Sequence, residues 1–465
     1  MRHGFGFLCV ATLIATLCAC AAPADRLHER LPRLDDLNIL MVVLDTVGAD
    51  DLGCYGSAVG QTPTLDRLAA EGVLFRRAYA PAPWTQPSIA SLFTSKMPSS
   101  HGLVHLFGSI GDEHDTIAEL LARRGFDTAA VVSHSLLREQ HGFAQGFATF
   151  DDSSVGGHFA VSGHRVTDRA IEWLDRRESV APFFLLAHYF DPHFVYHDHP
   201  DYDLTAGYSG ALRGGMDIWE LRNARASLSE QDIDYVRGLY HEEVAYTDAQ
   251  LGRLLEHLRG LPLERDTLVV VVGDHGEEIM EHGWIGHTRS LYDELIHVPM
   301  LFSLPGILEP HSVDGAVSLL DVAPTLLALA GETFPGDAAE GVSLIDPLLG
   351  IEDGLAERTL FGEVSFALGD WSLERDRLKV SFKTALVKGP LKLVHDLETD
   401  RWSLYDRDAD PAEQRDVYPT HPEGTALRSR LSRWEEARAQ QGGAESLPEI
   451  DPEELERLRS LGYVQ

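Results

Sequence analysis

The residues best placed to do chemistry are a hydroxyl at a helix start and a set of acidic and imidazole groups after two apolar runs. Thr85 lies in the stretch 83–94, where Pro87 suits a first helical turn and Thr85 suits the N-cap position. A hydroxyl there faces unpaired backbone N–H groups and the positive end of the helix dipole. That position favours the binding of a phosphate or sulfate ester and attack on it, so Thr85 is the candidate nucleophile.

Two apolar runs predict the strands that carry the other candidate groups. Residues 38–44 are typical of a buried parallel strand that ends at Asp45, and residues 267–273 are followed by Asp274 and His275. The carboxyl ends of parallel strands place ligand sites at one edge of a sheet. Taken singly, each acid could instead be solvated or cap a helix. Together, the two carboxylates and the imidazole predict a divalent-cation site.

The order of motifs along the chain resembles the sulfatase branch of the alkaline phosphatase superfamily. The matching stretches are 38–45, 50–56, 62–69, 75–79, 83–94, 101–102, 189–193, 273–276, 286–287, 291–294, 298–299, 321–326, 404–406 and 410–411. The resemblance implies an α/β alkaline-phosphatase-like sandwich. Its large, mixed but mostly parallel sheet is expected to be flanked by helices and followed by a small C-terminal antiparallel sheet.

Two residues in the nucleophile stretch depart from the family pattern. The sulfatase signature is C/S-x-P-S-R, and its first residue is oxidised to formylglycine, whereas this chain has Thr85 there and Ile89 at the arginine position. Oxidation of a threonine carbinol would give a ketone and not the aldehyde that hydrates for sulfate cleavage. Superfamily members with an unmodified threonine attack phosphate esters and diesters and form a phosphothreonine. The resemblance therefore favours phosphate chemistry.

Two histidines are candidates for protonating the leaving group, because imidazole titrates near neutral pH. By resemblance, His193 matches a family histidine near the substrate oxyanion, and His287 lies near the position where classical sulfatases have a lysine. Thr46 stands where many sulfatases have a second metal-binding aspartate, which leaves calcium, manganese, zinc and magnesium open. Residues 197–199 could hold a second metal with Asp191, although a polar loop over the pocket is the preferred interpretation.

Three functional interpretations remain open. The first is a metal-dependent hydrolase, or a phosphotransferase, that cleaves phosphate mono- or diesters through Thr85. The second is a sulfuric ester hydrolase that works without formylglycine, and the third is a non-catalytic ligand-binding envelope protein. The formal net charge of -34 argues against a nucleic-acid partner. The expected partner is a small-molecule, glycan or lipid anionic ester.

The chain is long enough for one large domain and a smaller one. We expect a lipoprotein-type signal peptide over 1–20, a linker over 21–37, a catalytic domain over 38–350, and a small-sheet subdomain with terminal helices over 351–465. Helices are predicted at 64–71, 116–124, 165–176, 230–258, 422–440 and 451–461, and further strands at 128–132, 183–187, 378–386 and 391–395.

The N-terminal segment has the features of a bacterial targeting sequence. Arg2 precedes an apolar stretch over 5–19, and residues 17–20 resemble a lipobox with cleavage before Cys20 and lipid attached there. Ordinary secretion with cleavage nearby and an uncleaved anchor are the alternatives. The lipoprotein interpretation predicts attachment to a membrane of the bacterial cell envelope, or a periplasmic location.

Fatty-acid labelling in a bacterial host tests the lipid anchor. We expect the wild-type chain to be labelled and Cys20→Ala to be unlabelled, because the thiol is the attachment point. Stable anchoring would then need more than one acyl chain. Equal labelling of both chains, or a mature N-terminus other than Cys20, would leave simple secretion.

Overall fold

The computed structural model describes residues 37–104, 108–156, 160–263, 266–336, 338–368 and 379–441. Its strands are β1 Asn38–Leu44, β2 Val73–Tyr79, β3 Asp127–Val131, β4 Thr149–Asp151, β5 Phe183–Tyr189, β6 Thr267–Gly273, β7 Glu278–Ile279, β8 Ile285–Gly286, β9 His297–Val298, β10 Met300–Ser303, β11 His311–Ser318, β12 Thr359–Leu368, β13 Lys379–Lys388, β14 Leu391–Asp396 and β15 Arg401–Asp406. Cys20, the signal peptide and the helix expected at 451–461 lie outside the described residues.

The helices complete the list of elements. They are α1 Pro63–Glu71, α2 Thr85–Thr94, α3 Pro98–His101, α4 Ile117–Arg123, α5 Gly163–Arg176, α6 Ile218–Ala224, α7 Glu230–Gly260, α8 Asp293–Ile296, α9 Val322–Leu329, α10 Ile345–Leu348 and α11 Gly424–Gln441. None of these helices is both long and apolar enough to cross a bilayer, a finding that covers the described residues only.

The large sheet has the order β11-β2-β10-β6-β1-β5-β3-β4, and β9 pairs with β2. The central strand β1 is parallel to both of its neighbours, β5 and β6. The strand β10 is antiparallel to β2 and β6, which makes the sheet mixed but largely parallel. The predicted fold class, an α/β sandwich with this sheet at its centre, is therefore confirmed.

Burial on both faces explains why the central strands are continuously apolar. Every residue of β1 is buried. Met41 and Val43 pack into the core that includes α2 and α9, whereas Leu40 and Val42 pack into the core that includes α5 and α7. Successive side chains of a strand point to opposite faces, so each face receives its own apolar set. The helices on both faces fix β1 in place, and with it the residue that follows.

Most predicted helix bounds lie within two residues of the observed ones, because local capping sets them. At α4, for example, the Thr116 hydroxyl oxygen accepts from the Glu119 N–H at 3.2 Å, and the Glu119 carboxylate accepts from the Thr116 N–H at 2.9 Å. This is a capping box, and it starts the helix at Ile117. The short helix α6 was missed in the loop region 194–228, although Asp217 caps it by accepting from the Trp219 N–H at 2.8 Å.

The small antiparallel sheet packs against the segment between β8 and β9. Val364 and Ala385 share one apolar cluster with Leu291 of that segment. Buried Lys392 on β14 donates to the carboxylate of Asp293 at 2.6 Å. Burial alone would raise the pKa of Asp293, but Lys392 and other neighbouring cations hold it well below its usual range. The small sheet therefore braces residues that lie close to the candidate site.

Candidate active site

The structure brings Asp45, Asp274 and His275 together at one edge of the large sheet. Asp45 follows β1 and Asp274 follows β6, and the two strands pair in register up to Leu44 and Gly273. The Asp274 carboxylate accepts the backbone N–H of Thr46 at 3.1 Å and that of His275 at 2.8 Å. One ligand atom from each of the three residues lies within 4.8 Å of the others. The strand-end rule thus located a compact cluster.

The donor set of this cluster fits a divalent cation. All three side chains are fully buried. Both carboxylate oxygens of Asp45 and one of Asp274 have no hydrogen-bond partner among the described residues. Burial, and then the neighbouring carboxyl of Asp45, raise the pKa of Asp274, and burial and Glu277 raise that of Asp45. A positive charge at this point would satisfy the oxygens and stabilise both ionised forms.

The imidazole of His275 presents a lone pair to the same point. Its Nδ1 lies 2.9 Å from the carbonyl oxygen of Gly276, which can only accept, so Nδ1 carries the proton. Nε2 is then the basic nitrogen, and it lies 3.5 Å from Asp274 and 3.8 Å from Asp45. The same Nε2 is 3.3 Å from the hydroxyl oxygen of Thr85. The candidate nucleophile and the candidate metal ligands therefore form one site.

Thr85 is the first residue of α2 and not its N-cap, so the expected cap position was wrong by one residue. Trp84 has extended backbone angles and occupies the N-cap, because its carbonyl accepts from the Ser88 N–H at 3.3 Å and closes the first turn. Pro87 lies in that first turn, as expected. The amides of Thr85 and Gln86 have no intrahelical acceptor at this position and can bind an anion. The Ser88 hydroxyl donates to the carbonyl of Asp274 at 2.6 Å and ties the helix to the cluster.

Thr46 contributes backbone geometry where the family has a second aspartate. It has a φ of 56°, which is uncommon for a β-branched residue. Its N–H donates to Asp274, and its carbonyl accepts from the Tyr240 hydroxyl at 2.8 Å. These bonds hold the strained conformation, and the conformation aims the N–H at the carboxylate.

The structure also places His193 and His287 at this site. The His287 ring lies 4.5 Å from the ring of His275 and 4.9 Å from that of His193, measured between centroids. Nδ1 of His193 lies 2.7 Å from the carbonyl of Phe194. Nδ1 of His287 lies 2.9 Å from a carboxyl oxygen of Glu277, and Nε2 is the other ring nitrogen. Burial, and then the positive charge of Arg222, hold the pKa of His287 well below its usual range.

Glu277 is a functional candidate that the sequence reasoning missed. Burial raises its pKa to about 8, although the nearby guanidinium of Arg222 opposes the shift. The Glu277 carboxyl group beside Nδ1 fixes the orientation of the His287 ring. Sequence position offered only a weak signal, since Glu277 follows the cluster residues directly. The partnership depends on the turn through β7 and β8, which returns His287 to it.

His188 is the second missed residue. Its Nε2 lies 3.4 Å from a carboxylate oxygen of Asp45, and its ring is buried. Burial lowers the pKa of His188 to about 4, which keeps the imidazole neutral. A neutral imidazole in this place can orient the Asp45 carboxylate or bind the cation itself. The available signal was one polar residue in an apolar strand, and its meaning emerges only once β5 pairs with β1.

Residues 197–199 form a polar loop that docks on α7. The carboxylate of Glu243 accepts from the His197 N–H at 2.7 Å and pairs with the His199 imidazole at 2.8 Å. Asp191 accepts instead from the N–H and the hydroxyl of Ser162, at 2.7 and 3.0 Å. The polar groups of this loop therefore bond to protein partners, which favours the polar-loop interpretation over a second metal site.

Comparison with known proteins agrees with this geometry. A family model described as sulfatase matches residues 37–332, and one described as the C-terminal part of N-sulphoglucosamine sulphohydrolase matches residues 280–440. An N-acetylglucosamine-6-O-sulfatase of Bacteroides thetaiotaomicron is 25% identical, covering 87% of this chain and 85% of its own length.

Solved structures share the fold at low sequence identity. A protein solved with its substrate D-glucosamine-2-N,6-O-disulfate superimposes with a TM-score of 0.70 at 20% identity, covering 87% of this chain and 98% of the other. The phosphonate monoester hydrolase of Agrobacterium radiobacter gives a TM-score of 0.69 at 20% identity, covering 87% and 96%. One fold therefore carries proteins named for sulfate and for phosphonate esters.

Replacing His188 should weaken metal binding. Groups that orient metal ligands usually change affinity about 10- to 100-fold, so His188→Ala should raise the dissociation constant for manganese or zinc by that factor. Chelator-competition titration measures it directly, without an activity assay. His257→Ala is the matched control, since that imidazole pairs with Asp175 on the protein surface. Wild-type affinity in His188→Ala would remove this residue from the site.

Proposed function

The chain belongs to the sulfatase family of ester hydrolases, and from this premise we propose that it cleaves phosphate mono- or diesters with Thr85 as nucleophile. One observation carries the proposal: the Thr85 hydroxyl oxygen lies 3.3 Å from Nε2 of His275, beside the two buried carboxylates. An unmodified alcohol in such a place is suited to attack phosphorus. Oxidation of the threonine side chain gives a ketone, so Thr85 cannot supply the aldehyde hydrate that sulfatases use.

The proposed reaction has two steps. In the first, the Thr85 hydroxyl releases its proton to solvent as its oxygen bonds to phosphorus, and the bond between phosphorus and the ester oxygen breaks. His287, protonated beside the anionic ester, donates its Nε2 proton to the departing alkoxide. The amides at the start of α2 hold the nonbridging oxygens. When bound, a divalent cation supplies positive charge that lowers the pKa of the hydroxyl and neutralises the transferring group. In the second step, water attacks phosphorus, the bond to the Thr85 oxygen breaks, and the proton of the water passes to Nε2 of His287. The Thr85 oxygen takes back a proton from solvent, which restores the alcohol.

The donor set also bears on the identity of the metal. Calcium and magnesium take oxygen ligands, whereas imidazole suits zinc and carboxylates suit manganese. Asp45 and Asp274 supply oxygens, His275 supplies nitrogen, and Thr46 takes the place of a further carboxylate. We therefore favour manganese or zinc over calcium and magnesium.

Sulfate ester hydrolysis is the second candidate, because the sequence relatives are sulfatases. Two residues argue against it. Thr85 cannot become formylglycine, and Ile89, at the family's arginine position, is buried in the apolar core. The organic part of the ester would be a small molecule, a glycan or a lipid. An anchor at Cys20 would place the reaction in the bacterial cell envelope.

Hydrolysis of matched nitrophenyl esters tests the reaction. The wild-type chain should cleave the phosphate monoester or diester faster than the sulfate, and Thr85→Ala should lower turnover by about a thousandfold or more. Thr94→Val is the control, because Thr94 lies in the same helix and bonds only within it, to the carbonyl of Ala90. Near-normal turnover by a folded Thr85→Ala variant would show that Thr85 is not the nucleophile. Cleavage of only the sulfate ester would support sulfate ester hydrolysis. No hydrolysis of any of the three esters would favour a non-catalytic role.

The role of His287 predicts a dependence on the leaving group. His287→Gln should slow hydrolysis of alkyl phosphates about 10²- to 10⁴-fold, because an alkoxide leaves poorly without a proton. The same variant should change nitrophenyl phosphate hydrolysis by less than about tenfold, since nitrophenolate leaves unaided. Glu277→Gln should show the same selectivity to a smaller degree. An equal loss on both esters would show that His287 has no role as an acid.

A further inference from the structure

Three arginine side chains converge on one indole ring beside the active site. The guanidinium carbons of Arg289, Arg225 and Arg222 lie 3.7, 4.9 and 5.3 Å from the centroid of the Trp284 ring. Trp284 itself is half-buried. The chain has 39 lysines and arginines against 73 acidic residues, so a local excess of positive charge runs against its composition. We call Trp284, Arg225 and Arg289 the arginine-indole cluster.

The two arginines of the cluster form no ion pair with a carboxylate in the described part of the chain. Among the described residues, no carboxylate oxygen lies within 4.0 Å of the guanidinium groups of Arg225 or Arg289. Arg225 donates to the backbone carbonyl of Arg222 at 2.5 Å, which positions it without neutralising it. Burial, and then the nearby Arg225, lower the pKa of Arg289, and the more distant carboxyl group of Glu278 opposes this shift only in part. Holding these like charges together is unfavourable in the free protein, and an anion between them would relieve the repulsion.

The third arginine connects the cluster to the proposed acid. Arg222 is buried, and its Nε donates to the carbonyl of Ile285 at 2.8 Å. Its guanidinium lies over the ring of Phe194 at 5.2 Å, and Phe194 stacks on His287 at 5.4 Å. Gly286 has a φ of 105°, and a Cβ there would lie 2.2 Å from a terminal nitrogen of Arg222. The glycine thus permits the arginine to lie against the backbone next to His287.

The small C-terminal sheet fixes the other side of the cluster. Nζ of Lys383 donates to the backbone carbonyl of Arg289 at 3.1 Å and also pairs with Asp396 at 3.5 Å. The backbone that carries Arg289 is therefore held between two parts of the fold. A backbone held in this way does not have to be ordered when a ligand binds, which lowers the entropy cost of binding.

We propose that the arginine-indole cluster is a second anion subsite, which binds a carboxylate, sulfonate or sulfate group on the organic part of the substrate. Arginine is suited to this role because its planar guanidinium can donate two hydrogen bonds to one oxyanion. The subsite rests on the proposed function, since it makes the substrate a doubly anionic ester. Thr85 would engage the ester that reacts, and Arg225 and Arg289 would hold the group that does not.

Binding of non-hydrolysable probes tests the subsite separately from the reaction. A phosphonate with a terminal carboxylate is compared by calorimetry with the phosphonate of equal length that ends in a neutral amide, on metal-loaded protein. A series of chain lengths covers the separation between the two sites, and a terminal sulfonate tests other oxyanions. The wild-type chain should bind the carboxylate at least about tenfold more tightly than the amide at the best length.

The variants assign the preference to particular residues. Arg289→Gln and Arg225→Gln should each reduce it to about threefold or less, and the double variant should abolish it. Arg430→Gln removes an equal charge from an exposed site on α11 and should leave the preference unchanged. Equal affinities for acid and amide in the wild type, an unaltered preference in the double variant, or no measurable binding of either probe would each overturn the subsite. Retained preference without any ester hydrolysis would overturn only the proposed reaction.

Discussion

The burial of two carboxyl groups side by side is the physical constraint on which the architecture of the candidate site depends. Removing an ionised carboxylate from water costs several kcal/mol, and Asp45 and Asp274 lie together with three oxygens that find no hydrogen-bond partner in the described part of the chain. Protonation or a compensating positive charge offsets this cost, which is why burial raises the pKa of both carboxyl groups. The parallel register of β1 and β6 forces the proximity, and the strained backbone of Thr46 and the neutral imidazole of His188 then shape it.

Different layers of the fold supply the other parts of the site. The sheet edge holds the ligands, the start of α2 holds the hydroxyl, and the segment around β8 holds the imidazole bonded to Glu277. The link between Ser88 and Asp274 fastens the first two layers together. Because the candidate nucleophile and the candidate metal ligands lie on different elements, a substitution at position 85 can change the proposed chemistry of attack without altering the strands that position Asp45 and Asp274.

The sequence predicted those parts of the fold that depend on neighbouring residues, such as strand ends and helix starts. Asp45 and Asp274 were predictable because apolar runs end at them, and capping placed the helix starts to within a residue or two. Thr85 was placed one residue off, since Thr-Gln-Pro fits both the N-cap and the first turn. His188 and Glu277 were missed because their roles depend on partners that only strand order and a tight hairpin bring near. Long-range pairing of this kind leaves no mark on the spacing of residues.

The brace formed by the small sheet has a consequence for the order in which activity appears during biosynthesis. Lys392, which anchors Asp293 just beyond the imidazole-bearing segment, is made 99 residues later than its partner. Domains fold from the N-terminus during synthesis, so the hydroxyl and the carboxylates are in place before that anchor exists. A nascent chain, or one that ends before β14, would have Thr85, Asp45 and Asp274 in place but would lack the ion pair that holds the segment after His287. We therefore expect the candidate site to be complete only after the last strands have been made.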